Sequence, residues 1–412
     1  MSFKDLQLNK PLLRAVAEQG YDDPTLVQEK TIPLVLDRKD VLVSAQTGTG
    51  KTAAFALPIL QLLFDTQDTE KGGKKIKAMV VSPTRELAIQ IHENFQVYGT
   101  YTNLRIGLVF GGASIEPQKD ILKKGIDILI ATPGRLLDLH KQDLVNLSRI
   151  DLLVLDEADL MLDMGFIDDV RKIDRLCPDS KQTLMFSATI PHKVEHLANT
   201  ILKDPVRIEV TPNKMTSMNL GQLLYYVPKK NKIELCLHLL RNTIKGNIII
   251  FRRTKYGVDK LEKTLLKNDY KADSIHGDKS QSDRQKALNR FKKGDVHILI
   301  ATDVAARGID IDNLDVVINF DLPNIPETYV HRIGRTARAG QTGIAYSLCS
   351  ADEKTYIKDI QKLIGLQLDI IEDHPYPLDP KAKPIVHKTP GKSKHRKGRK
   401  SEASKKKKKR WY

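Results

Sequence analysis

The sequence VLVSAQTGTGKT (residues 41–52) passes from an apolar run into a loop of small residues, and an Ala-rich segment follows it. This order is typical of a strand, a phosphate-binding loop and a helix. Gly48 and Gly50 let backbone N–H groups turn towards an anion, and the amino terminus of the helix adds partial positive charge. Lys51 would reach the β- and γ-phosphates of a nucleotide, and the Thr52 hydroxyl would ligate Mg²⁺. A Gly-rich turn without a ligand is the alternative, but the flanking pattern favours nucleotide binding.

The composition fits a protein with two globular domains. The chain has 412 residues, of which 41% are hydrophobic and 29% charged, enough for a sizeable core in each domain. No apolar run approaches the length of a membrane span, and the first residues lack the apolar segment of a signal peptide. Cys177, Cys236 and Cys349 follow no metal or disulfide pattern, which suits a reducing compartment. We therefore expect a cytoplasmic protein.

Two series of short apolar runs alternate with helical patterns along the chain. The runs are 78–81, 106–110, 126–130, 152–155 and 183–186, and then 248–251, 272–275, 297–300, 316–318 and 343–346. This alternation predicts an α/β protein with two mostly parallel sheets, each with helices on both faces. The string ILIAT occurs in both series, ending at Thr132 and at Thr302, which agrees with two related domains.

The boundaries follow from where this alternation stops. It is interrupted by a polar stretch that contains Pro212 and Gly221, and it does not continue past the last apolar runs. We predict domains at 1–210 and 223–375, a linker at 211–222 and a tail at 376–412. Residues 381–412 contain fifteen Lys or Arg and one acid, Glu402, so they carry +14 of the net charge of +16. The remaining 380 residues carry +2, and the basic tail is predicted to be disordered.

Two further motifs carry chemistry. Asp156 and Glu157 follow the apolar run 152–155, and in the same domain as Lys51 they would hold Mg²⁺ and activate a water. In the second domain the arginines of HRIGRTAR (residues 331–338) recur every third residue, a spacing that predicts one helix face. Phosphoryl transfer often uses arginines to stabilise developing charge. Because these arginines lie in the second domain, they would complete the site only when the two domains close. A solvated basic face that binds nucleic acid is the alternative.

Taken together, these motifs resemble the DEAD-box family of RNA helicases, and within it the bacterial RhlE type. The resemblance runs from Phe3 to about Ile370, and it implies two tandem RecA-like domains. In the family's order the chain has AQTGTGKT, PTRELA, the pair Gly111-Gly112, TPGR, DEAD, SAT, Gln281 with Arg284, ATDVAARGID and HRIGRTAR. The Ala that opens AQTGTGKT, Ala45, is the family's own variant of the phosphate-binding loop.

The resemblance also implies roles for individual residues. Adenine and ribose would contact Phe3, Tyr21, Gln28 and Asp310, and the Gln28 amide can pair with the N6/N7 edge of adenine. The phosphates would lie against Ala45, Gln46, Thr47, Gly48, Thr49, Gly50, Lys51 and Thr52. Mg²⁺ would be held by Thr52 and Asp156. Catalysis would fall to Lys51, Glu157, Arg335 and Arg338, and coupling between the ATP and RNA sites to Asp159, Ser187, Thr189 and His331. RNA would contact Thr84, Arg85, Gly112, Thr132, Arg135, Arg252 and Thr302.

The expected function is ATP-dependent unwinding and remodelling of RNA, with ATP and Mg²⁺ as cofactors. The substrate would be single-stranded or short duplex RNA, bound mainly through its phosphates. An ATP-gated RNA clamp or assembly scaffold would carry the same motifs and stays open, whereas a DNA translocase is disfavoured by the family. Ribosomal precursors and RNA-decay assemblies are candidate partners, a membrane is not, and a monomer is expected. The basic tail either tethers RNA or only keeps the chain soluble.

Overall fold

The structure, a computed structural model, describes residues 1–45, 48–66, 75–210, 220–306, 314–336 and 342–382. These residues form two α/β lobes, which we call lobe one and lobe two. Within the described ranges no helix has the length and the apolar character needed to cross a membrane.

Lobe one contains a parallel sheet of seven strands: β1 (Val41–Ala45), β2 (Ala78–Val81), β3 (Ile106–Val109), β4 (Ile128–Ala131), β5 (Leu152–Leu155), β6 (Gln182–Ser187) and β7 (Val206–Val210). The strand order is β3-β4-β2-β5-β6-β1-β7. Its helices are α1 (Lys10–Glu18), α2 (Leu26–Leu36), α3 (Lys51–Thr66), α4 (Arg85–Tyr98), α5 (Glu116–Lys123), α6 (Pro133–Lys141), α7 (Ala158–Asp163), α8 (Ile167–Leu176) and α9 (His192–Ile201).

Lobe two repeats this plan with β8 (Leu220–Tyr226), β9 (Ile248–Phe251), β10 (Ala272–Ile275), β11 (Ile298–Ala301), β12 (Val316–Asn319), β13 (Gly343–Cys349) and β14 (Asp369–Ile370). The order is β10-β11-β9-β12-β13-β8-β14, again parallel throughout. Its helices are α10 (Lys232–Asn242), α11 (Lys255–Leu266), α12 (Gln281–Lys292), α13 (Asp303–Ala306), α14 (Pro326–Ile333) and α15 (Lys354–Ile364).

Burial on both faces explains why the central strands are continuous apolar runs. Every residue of β2, β4, β5, β9 and β11 is buried, because helices cover each sheet on two sides and form two hydrophobic cores per lobe. The two ILIA strings form β4 and β11, which occupy the same second place in their sheets. The predicted α/β class with two related parallel sheets is therefore confirmed.

The structure corrects both ends of the predicted second domain. Leu220, Gly221 and Gln222, predicted as linker, lie in β8 and pair with β13, because this edge of the sheet offers them backbone partners. The first residues of the predicted tail also pack on lobe two, since Leu378 N donates to Tyr226 O at 2.9 Å. The rest of the predicted linker, 211–219, and residues 383–412 lie outside the described residues.

Candidate nucleotide and RNA site

The candidate residues of lobe one divide along one edge of its sheet. All strands are parallel, so their carboxyl ends lie at the same edge, where α/β proteins bind ligands. The predicted RNA contacts follow three neighbouring strands, β3, β4 and β2, and the predicted nucleotide and coupling residues follow β5, β6 and β1. The sheet order thus places the two sites side by side.

The phosphate-binding loop opens a cleft of about 630 Å³, which Gly48, Gly50, Lys51 and Thr52 line. Both glycines have positive φ values, +80° and +90°, a region that favours glycine. A Cβ on Gly50 would also collide with the side-chain amide of Gln28, so glycine is required there for a second reason. The structure places Thr49 in the same loop and Ala45 at the buried end of β1, whereas Gln46 and Thr47 fall outside the described residues.

Lys51 forms a buried ion pair with Glu157 on the floor of the cleft. Lys51 Nζ lies 2.9 Å from Glu157 Oε1, and both side chains are at most 10% exposed. Burial alone would lower the pKa of Lys51, but the carboxylates of Glu157 and Asp156 outweigh it, and the pKa is raised. The pair therefore holds Lys51 in its charged form, as phosphate binding requires.

Burial has the larger effect on Asp156. It raises the pKa of Asp156 to about 7; Lys51 opposes this rise, and the neighbouring Glu157 carboxylate adds to it. The Asp156 Oδ1 atom is buried and has no hydrogen-bond partner among the described residues. An orphaned buried carboxylate oxygen costs about 1–3 kcal/mol or more, so this atom points to a ligand that the cleft receives.

Glu157 carries backbone strain at the start of α7. Its φ and ψ are 55° and 54°, the left-handed region that a residue with a long side chain rarely adopts. Such a residue costs on the order of 1–3 kcal/mol and persists where the surroundings fix it, often at functional sites. The turn aims the Glu157 carboxylate into the cleft beside Lys51.

The predicted adenine contacts occupy the far end of the cleft. Gln28 Nε2 donates to Gly50 O at 3.2 Å, and Gln28 Oε1 accepts from Thr25 N at 3.0 Å. Gln28 therefore ties the start of α2 to the phosphate-binding loop, and each of its polar atoms retains capacity for a base. Tyr21 lines the cleft, but Phe3 is 5% exposed in the core and does not. The adenine contacts of Gln28, Tyr21 and Phe3 stay predictions. The ribose contact of Asp310 also stays a prediction, because this residue lies outside the described residues.

The predicted coupling residues form one hydrogen-bonded cluster between β5, β6 and lobe two. Asp159 Oδ2 accepts from Thr189 N at 3.0 Å and from Thr189 Oγ1 at 2.9 Å. Ser187 Oγ accepts from Asp159 N at 3.2 Å and donates to Thr189 O at 2.6 Å. His331 Nε2 of lobe two lies 3.9 Å from the same Asp159 oxygen. The cluster thus connects α7, the helix that follows Asp156, to the other lobe.

The arginines of the second domain do not share one helix face. Helix α14 ends at Ile333 with Gly334 as its C-cap, so the predicted single face is wrong. Arg332 is 2% exposed and binds Asp303 through two nitrogens, at 2.6 and 2.8 Å. Arg335 lies past the helix end and lines the cleft of lobe one together with Lys51 and Glu157. Arg338 lies outside the described residues.

The predicted RNA contacts of lobe one cluster at helix starts. Thr84 and Thr132 are the N-caps of α4 and α6, and Thr132 Oγ1 accepts from Gly111 N at 3.3 Å. The Arg85 guanidinium lies over Gly112, where any Cβ would collide with it. Arg135 donates to Ala113 O at 3.0 Å. Thr84 and Thr132 are only 7% and 8% exposed, so the accessible part of this cluster consists of backbone and guanidinium groups, which suit phosphate contacts.

In lobe two the two predicted RNA residues follow neighbouring strands, β11 and β9. Thr302 is partly exposed at the start of α13. The guanidinium of Arg252 is instead used within the lobe, since its Nε lies 2.8 Å from Asp321 Oδ2 and its NH1 donates to Gly257 O. It also stacks on the Phe320 ring at 4.1 Å. The RNA contact of Arg252 therefore stays a prediction. The contacts of its guanidinium group within lobe two do not support it.

One contact between the lobes was not predicted. Arg284 NH2 of α12 lies 3.1 Å from Glu86 Oε1 of α4, and the side chains are 13% and 4% exposed. Both residues stand inside strings that the family resemblance had singled out, PTRELA and the Gln281–Arg284 pair. A pairing between residues so far apart in the chain leaves no mark in one sequence.

The sequence of this chain is similar to those of known helicases. Residues 25–197 match the DEAD/DEAH box helicase family, and residues 231–340 match the helicase conserved C-terminal domain. RhpA of Helicobacter pylori, a DEAD-box ATP-dependent RNA helicase, is 42% identical over 371 residues, 90% of this chain and 74% of the relative. DbpA of Bacillus subtilis, an ATP-dependent RNA helicase, is 42% identical over 370 residues, 90% and 76% of the two chains. These relatives do not single out the RhlE type.

Solved structures add information on how the lobes are arranged. S. cerevisiae Dbp5 bound to RNA and ADP BeF3 matches with a TM-score of 0.81 and 31% identity, over 90% of this chain and 95% of that one. Mss116 bound to ssRNA and UDP-BeF matches with a TM-score of 0.82 and 30% identity, over 91% and 81%. A DEAD box protein from Methanococcus jannaschii is 38% identical, over 90% of this chain and 99% of that one, but its TM-score is only 0.51. The overall arrangement here is closer to the two structures that hold RNA and a nucleotide.

Proposed function

Since the chain belongs to the DEAD-box family of ATP-dependent RNA helicases, we propose a cycle in which ATP and RNA close its two lobes together and hydrolysis reopens them. The observation that carries this proposal is the position of Arg335, a residue of lobe two that lines the same cleft as Lys51 and Glu157. Both ligands favour the closed arrangement, so each tightens the binding of the other by the same factor.

In this cycle the ion pair on the cleft floor changes partners. A γ-phosphate attracts Lys51 through charge-assisted hydrogen bonds, and Lys51 then leaves its 2.9 Å contact with Glu157. The Glu157 carboxylate becomes available to orient the attacking water and accept its proton. Arg335, together with the predicted Arg338, neutralises charge that develops on the transferred phosphoryl group. Opening of the lobes removes the arginines and ends hydrolysis.

The residues present fit Mg²⁺. This ion usually takes one or two protein oxygens and completes its octahedral shell with water and phosphate. Asp156 Oδ1 is buried without a partner, and Thr52 lines the same cleft. When bound, the ion would supply positive charge that neutralises part of the charge on the phosphates. We therefore assign Asp156 and Thr52 as its protein contacts.

The pKa of Asp156 predicts how Mg²⁺-dependent nucleotide binding varies with pH. The pKa is raised to about 7 by burial, so below pH 7 a proton competes with the cation for the carboxylate. We expect the Mg²⁺-dependent part of ADP affinity to fall as pH is lowered from 8 to 6, approaching about tenfold per pH unit below the pKa. Calorimetric titrations with EDTA and with Mg²⁺ in sufficient excess to keep ADP complexed and deprotonated at every pH measure that part. A Mg²⁺-dependent part that stays constant over this range contradicts the assignment of Asp156.

The proposed strand separation is supported by predicted RNA contacts on both lobes. Closing the lobes around one strand bends it away from its partner, and the contacts to phosphates make this independent of sequence. We expect ATP-dependent separation of a duplex of about ten base pairs, and at least tenfold slower separation of one about three times longer, because each added pair must open without contacting the protein. A gel displacement assay measures both rates. ATP-dependent RNA retention without separation of either duplex would favour the clamp instead.

The basic tail is proposed as an RNA tether. The chain leaves lobe two beside Tyr226, the last residue of β8, at the sheet edge where Thr302 follows β11. Four strand spacings separate β8 from β11, roughly 20 Å, and a tail of about 30 residues that is as disordered as the sequence predicts would span on average about 30 Å. Such a tail would reach RNA held at Thr302.

Truncation after Pro380 tests the tether. We expect weaker RNA binding at low salt and a smaller salt dependence, because fewer counterions are released, with unchanged ATPase activity at saturating RNA. RNA affinities measured at several salt concentrations by fluorescence anisotropy check this. Identical salt curves for the two chains would leave the tail only a solubilising role.

The cellular task is proposed on the sequence resemblance alone. The RhlE type, a cytoplasmic location, the monomeric state, and ribosomal precursors or RNA-decay assemblies as substrates all stay predictions. So do the domain boundaries outside the strands and helices described above.

A further inference from the structure

A groove of about 580 Å³ runs along the outer edge of lobe one, between α4, β3 and α5. We call it the edge groove. Leu108, Phe110, Pro117 and Ile121 make its lining largely apolar. Strand β3 is the last strand of the sheet on this side, and among the described residues no further strand covers it. Ile121 is consequently 37% exposed, although it is a large apolar side chain.

The mouth of the edge groove adjoins the RNA contacts proposed for lobe one. Ala113 and Ser114 line the groove and directly follow the Gly111-Gly112 turn. The carbonyl of Ala113 accepts the hydrogen bond from Arg135, and Gly111 N donates to Thr132. A strand of RNA held at these residues would therefore lie beside the mouth of the groove.

We propose that the edge groove binds nucleobases of the RNA segment that continues beyond the phosphate contacts of lobe one. The proposal rests on the RNA path given under the proposed function. Bases of single-stranded RNA present flat apolar faces, which bind aromatic and apolar side chains, and polar edges, which need a few hydrogen-bonding groups. The groove offers Phe110 and Ile121 for the faces, and His92 and Gln96 at its rim for the edges.

The charge of the lining agrees with a base as the occupant. Burial lowers the pKa of His92, so its ring is neutral at pH 7 and is suited to the edge of an uncharged base. Gln118 holds the turn above the groove, since it accepts from Phe110 N at 3.0 Å and donates to Ser114 O at 2.9 Å. The phosphates would stay outside, near Arg135 and Arg85. An apolar peptide paired with β3 is the weaker candidate, because it would not explain why the groove adjoins the proposed phosphate contacts.

The test compares Ile121→Ser with a matched control, Leu176→Ser. Both residues are exposed apolar side chains at helix positions of lobe one, 37% and 36% exposed, and Leu176 lies at the end of α8. Each full-length variant is titrated, with a non-hydrolysable ATP analogue, against a single-stranded RNA of about 15 nucleotides and against the same backbone with abasic positions at its ends. We expect Ile121→Ser to weaken binding of the RNA with all its bases about fivefold or more and to leave the abasic backbone unaffected. Leu176→Ser should change neither.

The outcomes separate this inference from the proposed function. If the wild-type chain binds both RNAs in an analogue-dependent manner and Ile121→Ser binds them equally well, the base groove is wrong, and an extended peptide becomes the better occupant. If the wild-type chain shows no analogue-dependent binding at all, the proposed cycle itself fails. Photocrosslinking of RNA with 4-thiouridine near its ends provides a second readout. Crosslinks to the segment 106–121 are expected, and their absence from a crosslinked complex overturns the proposal even if Ile121→Ser proves unstable.

Discussion

Replacing Arg335 by alanine is expected to lower the rate of RNA-stimulated ATP hydrolysis by about 10³-fold or more, the usual effect of removing an arginine finger. Arg335 is 7% exposed and lines the cleft with Lys51 and Glu157, although it belongs to the other lobe. Binding of nucleotide to the phosphate-binding loop alone should change little, because that loop lies in lobe one. The loss should therefore appear in the hydrolysis step and not in the nucleotide affinity measured without RNA.

Single-turnover hydrolysis at saturating RNA measures this step separately from binding and product release. Arg290→Ala is a suitable control, since Arg290 is an exposed arginine of lobe two that pairs with Asp273 at 2.8 Å. It removes the same charge and should retain the wild-type rate. Hydrolysis by Arg335→Ala within about tenfold of the wild-type rate would exclude Arg335 from the transition state.

Glu157→Gln is expected to abolish ATP turnover, with a loss of about 10²–10⁴-fold, because glutamine cannot accept the proton of the attacking water. The fold should tolerate the change. Glutamine has nearly the same shape and the same tolerance for the left-handed backbone at position 157 as glutamate. Lys51 loses its 2.9 Å partner but keeps the nearby Asp156 carboxylate. ATP should therefore still bind and still close the lobes.

The distinguishing readout is RNA affinity in the presence of ATP. Glu157→Gln should bind RNA at least as tightly as the wild-type chain, because closure persists when hydrolysis cannot reopen the lobes. Lys51→Ala is the contrasting variant: it removes the cation that the triphosphate needs and should lose the ATP-dependent part of RNA binding. Near-normal turnover by Glu157→Gln would show that another group activates the water.

Much of the fold could be predicted because its strongest signals are local. Buried parallel strands must be apolar runs, and a helix that follows one begins at a residue such as Thr84, whose side chain caps the first turn by accepting from Leu87 N. The phosphate-binding loop was recognisable for the same reason, since Gly48, Gly50 and Lys51 act through their own backbone and charge. These properties need no knowledge of distant residues.

The features that were missed depend on the tertiary structure. The equal spacing of the arginines in HRIGRTAR suggested one face, but Gly334 ends the helix and sends Arg335 away from Arg332. The predictions of a shared helix face for Arg332 and of an RNA contact for Arg252 took no account of acidic partners, yet Asp303 and Asp321 bind these arginines inside lobe two. Strands β7 and β8 were missed as well, because they are only partly buried and their pattern is correspondingly weak.

The claim on which the account depends is that one cleft is completed by both lobes and that RNA favours its completion. The most direct measurement is the affinity for a labelled single-stranded RNA, with and without a non-hydrolysable ATP analogue, in the wild-type chain and in Arg335→Ala. We predict that the analogue tightens RNA binding to the wild-type chain by about 5–150-fold, the range of typical coupling energies, that RNA tightens the analogue by the same factor, and that Arg335→Ala loses most of this coupling. Equal RNA affinities with and without the analogue in the wild-type chain would contradict the account.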